Sequence, residues 1–183
     1  MTAMQSEYQD IIHQFTIFDH GLDVWKNFQS LHKYLEKKSE EPYDKPMPKW
    51  ALLYKDKILE KCKNKLEIIE NYLIYHDCGK PFCLIVDEEG RRHFPNHAEV
   101  SYQTFLQYHQ DYDIANLIRK DMLCHTTKPK DFELIKNDED IEILLLSALA
   151  AIHSNAIMFG GLDSDSFKIK FKNLEKLGER ILK

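Results

Sequence analysis

Glycine and proline are scarce in this chain, six of each in 183 residues, and that scarcity argues against a fold of many strands joined by tight turns. No apolar run reaches the roughly 18 residues needed to cross a bilayer, so nothing supports a membrane role. The four cysteines (Cys62, Cys78, Cys83, Cys124) contain no CxxC pair and outline no disulfide framework. Nothing at the N-terminus reads as a signal peptide, and reduced thiols in a cytoplasm are the expectation. Positive charge is short as well: 25 Lys and Arg against 30 Asp and Glu leave a net −5. Coating of nucleic acid by bulk positive charge is thereby disfavoured, and only a local basic lip remains for a nucleotide or a short strand.

What is present is an ordinary globular composition, 43% hydrophobic and 30% charged, which at this length predicts one domain over 1–183 that is mainly helical. Apolar residues recur at helical spacing over 6–18, then at Leu22, Trp25, Phe28, Leu31 and Leu35. Pro42, Pro46 and Pro48 make 39–50 a surface loop, an insertion or lid. A long helical pattern follows from Trp50 to Leu73, with a break near Asn64, and its lysines (Lys55, Lys57, Lys61, Lys63, Lys65) read as a solvated face.

Residues 82–94 predict the only sheet, a small β-hairpin: an apolar run to Val86, a turn at Asp87–Gly90 and a return through Arg91, Arg92, His93 and Phe94. Asn96, with Glu99 three residues later, reads as a capping box that places His97 in a first helical turn. His125 falls at a helix C-terminus before Pro129. The acidic run 137–142 opens a helix over 143–158 that is apolar on nearly every side and therefore central, with His153 inside it. Phe167-Lys-Ile-Lys-Phe-Lys172 alternates like a short strand or a solubilised edge, and a last helix spans 174–182.

The chemistry gathers at His76-Asp77-Cys78-Gly79-Lys80. Imidazole nitrogen beside carboxylate oxygen suits Mn, Fe, Zn, Ni or Co, and a lysine three residues on supplies a cation for phosphate. His20, His97, His125 and His153 each fall at a predicted helix end or in a buried helix middle, where helical bundles collect metal ligands. His32 is the reserve for His20. A lone histidine at a helix end is more often a surface or capping group, and His13, His93 and His109 are set aside on that ground.

This pattern resembles the HD-domain metal-dependent phosphohydrolase superfamily over about residues 19–161, most specifically in His-Asp-x-Gly-Lys. The resemblance implies an all-α, mainly helical HD-domain bundle in which His20, His76 and Asp77 bind one or two divalent ions, with His97 and His125 as the additional histidines of two-metal members. Where the family carries a last Asp, this chain has His153, with Asp163 and Asp165 shortly after as alternative oxygen donors. The implied activity is phosphomonoester or phosphodiester hydrolysis at a nucleotide, another phosphorylated small molecule or a nucleic-acid end. Asp77 and Lys80 would be catalytic, and Lys80, Arg91, Arg92, Lys168 and Lys170 would bind substrate. A catalytically degenerate HD domain that binds a nucleotide or a partner is the alternative, and a di-iron oxygenase on the same scaffold is a third.

Overall fold

The computed structural model describes residues 16–37 and 43–183. Residues 6–15 of the expected first helix, His13 and part of the 39–50 loop lie outside those residues, and the last residues of that expected helix, Ile17 and Phe18, instead open the next one. Among the described residues the chain is mostly helical with one two-stranded antiparallel hairpin, as expected. No described helix is long and apolar enough to cross a membrane. Contacts divide the chain into two compact units, one gathering 16–22 with 67–122 and the other 23–66 with 123–183.

The first unit receives the start of α1 (Ile17–Glu36). Thr16 and Asp19 close that end reciprocally: Thr16 Oγ1 donates to Asp19 Oδ2 at 2.7 Å and accepts from the Asp19 N–H at 3.1 Å. Two donors at the helix start are thus satisfied locally. Gly21 meets Ile74 so closely that a Cβ there would stand 2.3 Å from the Ile74 carbonyl oxygen. The two backbones can approach only without that side chain.

Ile74 belongs to α4 (Leu66–Tyr75), which buries Ile69, Tyr72 and Leu73 and ends at the His-Asp pair. A turn and a 3₁₀ segment, Lys80–Phe82, follow. The predicted strand over 82–86 therefore shrinks to β1 (Ile85–Val86), pairing with β2 (Arg92–His93) in the register Ile85↔His93. Pro81 stands inside the 3₁₀ turn, where its missing N–H costs nothing. α5 (His97–Tyr108) and α6 (Tyr112–Lys120) complete the unit. Asp111 caps α6 through the Asp113 and Ile114 N–H groups. Asn96 precedes α5 as expected but does not cap it: its backbone is left-handed (φ 55°) and its side chain accepts no helix N–H.

The second unit holds the rest of α1, α2 (Lys49–Leu53), α3 (Lys55–Cys62), α7 (Leu123–Thr126), α8 (Phe132–Ile135), α9 (Ile141–Ser154) and α10 (Asp165–Leu182). The long 50–73 pattern breaks at 63–65 as predicted and again at Tyr54. α9 is the central helix: of its fourteen residues only Ala151 and Ser154 are not fully buried. Its acidic start is not left to the dipole alone. Lys57 reaches Glu142 at 2.7 Å, Lys65 reaches Asp140 at 3.0 Å, and Lys61 donates to the Glu139 carbonyl. These three lysines therefore serve α9 and are not merely a solvated face.

The 167–172 segment is a helix, which corrects the strand reading. Ser164 Oγ accepts the Phe167 N–H as an N-cap, and Phe167, Leu174, Leu177, Ile181 and Leu182 bury one face of α10. Ile169, the residue that made the alternation, points to solvent. Three apolar residues at period two look like a strand, but the cap and the longer 3.6-residue pattern decide otherwise.

Candidate metal centre

Four side chains of the first unit converge on Asp77. One ligand atom from each of His20, His76 and Asp77 lies within 4.8 Å of the other two. His76 Nε2 stands 3.4 Å and His20 Nε2 3.9 Å from Asp77 Oδ2, while His97 Nε2 approaches Oδ1 at 3.7 Å. The two carboxylate oxygens thus face different histidines. His76 and Asp77 are buried, and His20 and His97 are half-buried.

Local backbone sets the tautomers. The Leu73 carbonyl lies 2.6 Å from His76 Nδ1, and the Phe94 carbonyl 3.1 Å from His97 Nδ1. A carbonyl can only accept, so both Nδ1 atoms carry a proton, and each Nε2 is turned toward Asp77. A histidine ligand needs that arrangement, one nitrogen tethered and the other free to bind.

Lys80 Nζ lies 2.5 Å from Asp77 Oδ2 and 5.4 Å from the centre of the Phe94 ring. Burial alone would raise the Asp77 pKa, but His76, Lys80, His20 and His97 outweigh it and hold the carboxyl well below the usual range. Asp77 is an anion at any working pH. A buried anion with imidazole nitrogens turned toward it is a group that could hold a metal ion, and the Lys80 ammonium stands beside it.

Arg91, at the hairpin tip, is tied to Asp87 and Glu89 at 2.8 Å each. Arg92 lies in β2. Lys168 and Lys170 are exposed on α10, in the second unit, with Lys170 Nζ 5.0 Å from the centre of the Phe159 ring. His125 is exposed on α7, beside a cavity of about 300 Å³ that Ile152, Ser166, Lys170 and Asn173 also line. His153 is buried in α9 of the same unit, where its Nε2–H donates to the Pro46 carbonyl at 3.0 Å. The ring stacks on Phe167, and its Nδ1 has no partner among the described residues. Asp163 and Asp165 are exposed. His32, the reserve, is a core histidine stacked on Phe28.

Two contributors escaped the sequence reading. One is the pair of carbonyls that orient His76 and His97, each three residues before its histidine, a spacing visible only once the turns are known. The other is Ser101, whose Oγ accepts the Gly79 N–H at 2.9 Å. Comparison with family models, with curated proteins and with solved structures found no match to this chain.

Proposed function

We propose that this chain is a metal-dependent phosphohydrolase of the HD type, acting in a cytoplasm on a nucleotide, another phosphorylated small molecule or a nucleic-acid end. The observation that carries this reading is the buried group His20, His76 and Asp77, with His97 on the second carboxylate oxygen. These residues would hold a divalent ion of the Mn, Fe, Zn, Ni or Co class, and His97 beside Oδ1 leaves room for a count of one or two. Bound there, the ion supplies hydroxide near neutral pH by lowering the pKa of water from 15.7 to about 7.

The remaining work falls to the chain. Asp77, anionic and fixed, accepts a hydrogen bond from the attacking water and orients it toward phosphorus. His76 and His97 keep their protons on Nδ1, so neither ring can turn without losing its carbonyl. Lys80 neutralises the non-bridging oxygens as charge builds on them in the transition state. The test is hydrolysis of aryl phosphate mono- and diesters and of a nucleotide panel by protein loaded in turn with each of the five metals. Turnover that needs metal and disappears in Asp77→Asn supports the reading. No hydrolysis of any substrate with any metal sinks it.

A second reading, an HD-type module that binds a nucleotide or partner without turning it over, has one observation in its favour. His153, which would have to substitute for the carboxylate the HD family carries there, already donates its Nε2–H to Pro46. Metal at one equivalent per chain, nucleotide binding and no turnover would favour this module.

A further inference from the structure

The candidate metal-ligating groups come from three pieces of backbone, the start of α1 with His20, the 76–80 turn and the first turn of α5, and something must set the distance between the last two. The turn leans on α5 one helical turn past His97. There the Gly79 N–H donates to Ser101 Oγ at 2.9 Å, and Cys78 Sγ–H donates to the Ser101 carbonyl at 3.4 Å. Ser101 is fully buried. The approach is as close as backbone allows: a Cβ on Gly79 would stand 2.3 Å from the Ser101 nitrogen and 2.6 Å from the Val100 carbonyl carbon.

Gly79 is two residues after Asp77 and one before Lys80, while Ser101 is four after His97, on the same face of α5. We infer that Ser101 is a positioning residue of the metal centre: its hydroxyl clasps Gly79 and so sets where Asp77 and Lys80 stand relative to His97. The inference rests on the metal-centre reading and adds a residue to it. Ser101 touches no ligand atom of the group and acts through the turn it holds. Without its hydroxyl the Gly79 N–H is left buried and without its acceptor, the turn shifts to find one, and the 3.7 Å approach of His97 to Asp77 is the geometry that gives way.

The experiment is Co(II) titration of the full chain, followed by visible absorption and by calorimetry, for the wild type, Ser101→Ala, Ser101→Thr and Gly79→Ala. Far-UV circular dichroism and the metal-free melting temperature check folding. Groups that orient metal ligands are worth about 10–100-fold in affinity. The expected result is a loss of that size in Ser101→Ala with a changed Co(II) spectrum, recovery of most of it in Ser101→Thr, and a similar loss in Gly79→Ala. The Gly79→Ala variant breaks the clasp from the other side, so the double variant should lose little more than either single one. A wild type that binds Co(II) beside a Ser101→Ala protein with the same affinity and spectrum overturns the inference alone. A wild type that takes up no Co(II) overturns the metal-centre reading and the inference with it.

Discussion

Histidines of the two units are held by backbone carbonyls in opposite ways. His76 and His97 give Nδ1–H to a carbonyl three residues back, which leaves Nε2 turned toward a buried carboxylate. His153 gives Nε2–H to Pro46, 107 residues away in sequence, and its Nδ1 meets no partner among the described residues. A short tether orients a ring for something else to use. A long one uses the ring itself, as a strut between α9 and the 43–48 segment.

The same contrast runs through the carboxylates. Asp77 is surrounded by groups that favour its charge without saturating its oxygens in hydrogen bonds from the backbone. Asp23, in the second unit, accepts a 2.6 Å bond from Ser154 Oγ and another from Asn27, whose own Oδ1 accepts from Lys45. That network ties α1, the 43–48 segment and α9 together, and it reads as structure.

If this contrast is right, the largest effect belongs to Asp77. Asp77→Asn should cut metal-dependent turnover by more than about 100-fold, since losing a ligand costs more than losing a group that orients one. Metal bound per chain, read by elemental analysis, should fall with it. His153→Ala should do the reverse: stability falls by about 3 kcal/mol, the range for emptying a buried aromatic-sized site, while metal content stays at the wild-type value. Denaturant melts and elemental analysis of the one variant settle both halves. Loss of metal with stability intact would make His153 a ligand and not a strut.

Acid should separate the units next. Burial, with the nearby Lys45 charge, lowers the His153 pKa from 6.5 to about 4. The unfolded chain therefore takes up this proton before the folded one does, so the stability at stake is fully present above about pH 6.5 and drains away as pH falls toward 4. Over that window the loss amounts to as much as about 3 kcal/mol, because each pH unit between the unfolded and folded pKa is worth about 1.4 kcal/mol. Urea midpoints of the wild type should fall across it, and those of His153→Phe should be flatter. Equal slopes would mean that His153 is not the group responsible.

The same physics explains what could be read from residues alone. The helical stripes through Trp25, Phe28 and Leu31 and through Ile143 to Ile152 were legible because one buried face, or all of them, shows directly as spacing. His76-Asp77 was legible because two donors adjoin. Lys57 and Lys65 were not, because a lysine that meets a buried carboxylate has the same sequence signature as one that meets water. Phe167, Ile169 and Phe171 misled because three residues cannot distinguish period 2 from period 3.6 when the cap that decides it, Ser164, lies upstream. Ser101 and the Pro46 carbonyl were beyond reach: a serine on a helix and a backbone oxygen acquire meaning only from what the fold sets against them.

The smallest expected effect is the sharpest test of the comparison. Thr16 caps α1 and Ser164 caps α10, each by a hydroxyl that accepts an N–H three residues on, at 3.1 and 3.2 Å. Replacing either by Ala should cost about 1 kcal/mol, the usual value of such a cap. The costs are alike but the consequences should differ. The turn that Thr16 secures carries His20, whose backbone N–H bonds to the Thr16 carbonyl at 2.9 Å; fraying there moves a residue of the candidate metal group, and Co(II) affinity should fall along with stability. The turn that Ser164 secures carries Phe167, which stacks on His153 and on Phe171 in the second unit; fraying there should lower stability and leave Co(II) affinity unchanged. Equal losses of affinity in Thr16→Ala and Ser164→Ala would show that the metal centre senses stability at large, and the distinction between a site in one unit and struts in the other would fail.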